Sequence, residues 1–177
     1  LESIEVQSGG SGYTSGTVSA TVEAPPQSAF TANTTNISTT ANTIAITGHT
    51  YETGDQVLYD ATTLDASAVA IGGLTTATNY FIIRVDDDTI KVALNLTNAN
   101  NGTEISLSSA GSGSMFFQGE QAVLGTISVA AGAITAIAVS NKGSGYSAAP
   151  QITVTDTGSG ANAAIVSNFG RSVSGIT

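Results

Sequence analysis

Two segments at opposite ends of the chain carry the same phrase. Leu1-Glu-Ser-Ile4-Glu-Val6-Gln-Ser-Gly-Gly10-Ser-Gly12-Tyr13 near the start matches Ile134-Thr-Ala-Ile137-Ala-Val139-Ser-Asn-Lys-Gly143-Ser-Gly145-Tyr146 near the end. In each copy an alternating apolar stretch runs into Gly-Ser-Gly-Tyr and then into a second one, Val18-Ser-Ala20-Thr-Val22 or Ile152-Thr-Val154-Thr. Alternation with period two marks a strand with one buried face. A repeat carried at both ends implies that one β-module was duplicated or wrapped around an insert.

The turn has a direct physical reading. Gly10, Gly12, Gly143 and Gly145 can take the positive φ that a tight strand-to-strand connection needs and that a Cβ penalises. Tyr13 and Tyr146 open the next strand with a ring large enough to cover glycine-exposed backbone. Pro150 precedes the second strand of the second copy, where the first has Thr17. A phosphate-binding role is disfavoured, because such a loop leads into a helix and ends in Gly-Lys-Ser/Thr, whereas a strand follows here.

Residues 1–26 end in Pro25-Pro26, which cannot continue a ladder. Residues 27–124 have a rhythm of their own, with strands expected at Thr43–Thr47, Asp55–Tyr59, Asn79–Val85, Thr89–Ala93, Glu104–Leu107 and Met115–Phe117. A small antiparallel barrel closes such a set with few open edges. From residue 125 the chain returns to the repeat, then ends in a Ser/Gly-rich tail after Phe169. The expected fold is therefore all-β: a discontinuous, sandwich-like module of residues 1–26 and 125–177, with an inserted small barrel at 27–124. Residues 1–26 are too few to bury a sheet face alone, so they should pair with the C-terminal segment. A single helical turn is expected at Leu96–Asn100. Ala122–Ser140 is uncharged, yet it alternates as a hairpin and is too rich in Gly, Ser and Thr to read as a membrane span.

Only 10% of the 177 residues are charged, and Thr, Ser, Asn and Gly take the surface positions. That surface suits a protein packed against copies of itself or exposed outside a cell, since contact orders few long side chains. Thirteen acids face four scattered bases, Arg84, Lys91, Lys142 and Arg171, for a net charge of −9, which disfavours nucleic-acid backbone as a partner. Cysteine is absent, so neither a disulfide nor a thiolate metal site is available. Leu1 in place of Met reads as the start of a processed product or excised fragment.

The phrase Ile-x-x-Ile-x-Val-x-Asn-x-Gly-Ser-Gly-Tyr-x-x-x-Pro-x-Ile-x-Val, followed by Gly158-Ser-Gly160-Ala-Asn, resembles a β-repeat of virion structural proteins of tailed bacteriophages, notably cyanophages. The insert is similar to a second module of phage proteins and adhesins. Its phrases are Ile46-Thr-Gly48-His49, Thr53-Gly54-Asp55-Gln-Val57-Leu-Tyr59, Asn79-Tyr80-Phe-Ile-Ile and Asp88-Thr-Ile90-Lys91-Val-Ala. These resemblances imply a structural protein of a tail, fibre, baseplate or capsid surface, located in the virion and partnered by copies of itself and other virion proteins. The first repeat departs from the pattern at Thr17 and Pro25-Pro26, so its last strand is expected to be diverted into the insert.

Candidate chemistry is thin. His49 is the only histidine, and no nucleophile elbow accompanies it. Asp86-Asp87-Asp88 could offer oxygens to Ca²⁺, but the run lacks the alternating EF-hand spacing and reads as a hairpin turn. Glu52, Asp55, Asp60 and Asp65 show no convergence of the kind a glycosidase needs. Sequons at Asn33, Asn36, Asn95 and Asn101 are ordinary in a chain so rich in Asn and Thr. Tyr59 and Tyr80 lie in apolar strands and read as core, whereas Tyr51 and Tyr146 beside turns are the candidates for stacking on a host-surface glycan. No catalytic residue, metal or cofactor is assigned. The sequence points to a non-enzymatic, self-associating virion component, with an extracellular or cell-surface adhesin that binds receptor glycans as the alternative.

Overall fold

A computed structural model describes residues 1–170. Arg171 and all but the first residue of the Ser/Gly-rich tail lie outside the described residues. The fold is all-β, with thirteen strands and one short helix among the described residues, α1 (Leu96–Asn100), at the expected helical turn. The chain divides into two compact units, one of residues 1–24 and 121–177, the other of residues 25–120.

The discontinuous unit consists of three two-stranded antiparallel ribbons. β1 (Ser3–Ser11) pairs with β13 (Ala161–Asn168), β2 (Val18–Val22) with β12 (Ile152–Asp156), and β10 (Val123–Ala130) with β11 (Ala133–Asn141). Both terminal segments thus share ladders. Inward residues of all three ribbons, among them Val6, Ala20, Ile127, Ile137, Val154 and Ile165, meet in one apolar cluster.

The pairing follows the repeat. β1 and β11 are its leading strands, β2 and β12 its middle strands. The middle strands pair antiparallel with each other, Ala20 opposite Val154 and Thr21 opposite Thr153, so the copies are related by a local pseudo-twofold. β13 closes the second copy and lies on the leading strand of the first. β10 closes the first and lies on the leading strand of the second. The last strand of the first repeat is therefore not diverted into the insert: it is β10, which the chain reaches after residues 25–120. In the second copy the same connection is only the turn Thr157–Gly160.

The inserted unit is a seven-stranded antiparallel sheet in the order β3 (Gln27–Ala32), β9 (Gly113–Gly119), β6 (Gln56–Asp60), β7 (Thr78–Arg84), β8 (Thr89–Ala93), β5 (Thr43–Ala45) and β4 (Ile37–Ser38). Its two edge strands are consecutive in sequence. Laid flat, the first and seventh strands would stand about 29 Å apart, but the link from Ala32 to Ile37 reaches at most about 18 Å. The sheet is thus curled into an open barrel around Tyr51, Val57, Tyr59, Ile82, Ile90 and Phe117. β3 and β4 were not anticipated. Glu104–Leu107 forms no strand. Ile105 N donates to Val92 O, but the next inward residue, Leu107, donates its N–H to the Asn42 side chain, so no ladder develops.

Candidate functional site

In both Gly-Ser-Gly-Tyr turns the glycines adopt matching left-handed conformations: Gly10 and Gly143 have φ 64°, Gly12 79° and Gly145 70°. At Gly10 a Cβ would also run into the Ala161 carbonyl and the Tyr13 ring, so conformation and space demand glycine together. The two tyrosines then cross over to the opposite copy. Tyr13 packs with Ile134 of the second repeat, while Tyr146 packs with Leu1 of the first.

Each ring also lies against the connection between the middle and closing strands of that other copy. Tyr13 covers Gly160, where a Cβ would overlap the ring. Asp156 holds this turn by accepting from Thr17 Oγ1 (2.6 Å) and Gly160 N (2.8 Å), and these bonds hold its carboxyl below the usual range. Tyr146 sits where the inserted unit leaves and rejoins the module. Its hydroxyl donates to Glu23 O and accepts from Ala122 N, both at 2.9 Å, and Gln121 Nε2 donates to Val22 O beside it. Burial pushes its phenol pKa up. Pro150 is buried, and its carbonyl accepts from Ser167 Oγ of β13.

The expectation that Tyr51 and Tyr146 are exposed is overturned. Tyr51 is fully enclosed, donates to Phe117 O at 2.9 Å, and is pushed up to about 12 chiefly by burial. Tyr146 retains 6% of its surface. Neither ring has a face free for a sugar. Adjacency to turns misled because distant strands close over both residues. Tyr59 and Tyr80 are core, with hydroxyls accepting from Ile71 N and Thr75 N respectively.

The acidic residues diverge, each held by a local turn. Asp55 accepts from Glu52 N, Asp60 from Thr62 N and Thr63 N, and Asp65 from Ser67 N. Asp86 accepts from Asp88 N, Asp87 pairs with Arg84, and Asp88 reaches across to accept from Gly48 N at 2.7 Å. Among the described residues no three His, Asp or Glu side chains are grouped to hold a metal ion. His49 is buried and stacked on Tyr51 at 5.8 Å, and neither ring nitrogen meets a protein hydrogen-bond partner. No described helix is long and apolar enough to cross a membrane.

What the discontinuous unit does offer is edges. Each of its six strands pairs on one side only. Glu5 and Asp156 are the only charged residues along them. The chain matches no protein-family model, no curated protein and no solved structure.

Proposed function

We propose that this chain is a structural component of a phage virion, a tail, fibre, baseplate or capsid-surface protein that works by associating with copies of itself and with other virion proteins. One observation carries the reading: each of six strands is hydrogen-bonded to a partner strand on one side only, with two charged side chains among them. Sheet proteins that stay apart normally guard such edges with Lys, Glu, Pro or a covering element. The phage context comes from the Gly-Ser-Gly-Tyr repeat and the insert phrases. In this reading the work is done by contact and not by a chemical step. The adhesin alternative has lost its named sugar contacts, since Tyr51 and Tyr146 are inside.

Peptide mass spectrometry of purified virions, together with sedimentation of the purified chain over a concentration series, tests the proposal. The chain should be found in the particles and should self-associate as concentration rises. A monodisperse monomer at high concentration that is missing from the virions overturns it.

A further inference from the structure

The β1–β13 ladder is the counterpart of the β10–β11 ladder, with one difference. The two-residue turn Ala131-Gly132, both at positive φ, ties β10 to β11, so neither strand can seek another partner without opening the hairpin. No turn ties β1 to β13: Ser3 pairs with Asn168 from the far end of the chain. We propose that β1 is an exchangeable strand, which leaves β13 of its own chain and completes the same ladder on β13 of a second copy.

The balance of contacts favours a second copy as the occupant. A departing β1 gives up the ladder, the burial of Leu1, Ile4 and Val6, and the Lys142–Glu2 ion pair at 2.9 Å. On another copy it regains each of them, because the receiving surface is identical. This is the low-cost route by which a shared element links protomers. The hinge is built for it. Thr14–Gly16 is exposed, Gly12 and Gly16 have positive φ, and space around Gly16 is open. A strand on a short flexible tether experiences its home site at an effective concentration on the order of millimolar. Exchange therefore competes when subunits are crowded to that level. Reciprocal exchange closes a pair, while one-way exchange extends a chain.

The inference rests on the self-association reading above but not on a place in a virion, and its test needs only the purified chain. The chain is free of cysteine, so single substitutions report cleanly. Ser3→Cys and Asn168→Cys variants, both at exposed positions of the ladder, are mixed, unfolded, refolded together at high concentration and oxidised. A disulfide joining one variant to the other can follow the native register only if β1 of one copy lies on β13 of the other. The control mixes Ser128→Cys with Ala136→Cys, an exposed pair across the β10–β11 hairpin. Each variant is first shown by circular dichroism to fold like the parent. The expected result is about tenfold more mixed dimer from the first pair than from the control, falling on dilution as the home site regains its advantage. Equal yields from the two pairs overturn the exchange. Absence from virions, with the mixed dimer present, would overturn the assignment to a particle and leave the exchange standing.

Discussion

A single phenol oxygen does two jobs at Tyr146, accepting from Ala122 N and donating to Glu23 O at the point where the module's chain is interrupted. Tyr146→Phe keeps the ring and leaves both backbone groups without this partner, a change expected to cost about 1–3 kcal/mol. Urea denaturation of the two proteins measures it, and indistinguishable midpoints would refute the role. Tyr51 makes a prediction of opposite experimental character, about pH. Its folded-state pKa, raised mainly by burial to about 12, lies above the unfolded value of about 10. Below pH 10 the phenol is neutral in both states and its contribution is intact. Between about 10 and 12 the unfolded chain gives up the proton and the folded one does not, so stability falls by up to about 2–3 kcal/mol. Burial raises Tyr59 and Tyr146 in the same sense, so they steepen the alkaline limb. Tyr51→Phe should make that limb shallower in thermal melts between pH 9 and 12, and an unchanged slope counts against the assignment.

At the scale of elements, the two connections between middle and closing strands are the same joint built at two lengths, Thr157–Gly160 in one copy and everything from Glu23 to Ala122 in the other. Replacing residues 23–120 by the four residues Thr-Gly-Ser-Gly, copied from 157–160, should therefore yield a folded module containing β1, β2 and β10–β13. Cooperative unfolding with β-rich circular dichroism is the expected result; an unfolded product would show that the inserted unit is needed to hold the joint. The repeat and its turn glycines were legible in the sequence because backbone conformation at Gly10, Gly12, Gly143 and Gly145 is a local property. The helical turn at Leu96–Asn100 was legible for the same reason, with Asn95 capping it through a bond from Asn98 N. The fate of the first repeat's last strand was not, since β10 resumes a pattern interrupted by a whole unit. Nor were the short β4, whose two residues show no alternation, and the enclosed Tyr51, which is fixed by a strand remote in sequence.

For the molecule as a whole, charge is distributed unevenly. Nine acids and two bases fall within residues 25–120, giving that unit seven of the nine net negative charges. Bringing copies together brings these charges together, and salt screens them, the screening length being about 10 Å at 0.1 M. Self-association of the full chain should strengthen as salt rises toward physiological levels, while the module lacking residues 23–120 should respond little. Sedimentation across a salt series decides, and weakening with salt would show that attraction between charges drives the contact. The pairing of Ser3 with Asn168 also sets a timetable for folding. Contacts so distant in sequence form slowly because a long loop must close before they are rewarded. On a ribosome β1 emerges well before β13 and waits for it while the intervening residues are made, with residues 25–120 free to fold in the meantime. For that interval the strand is without its ladder, and neighbouring nascent copies are surfaces on which it could find one.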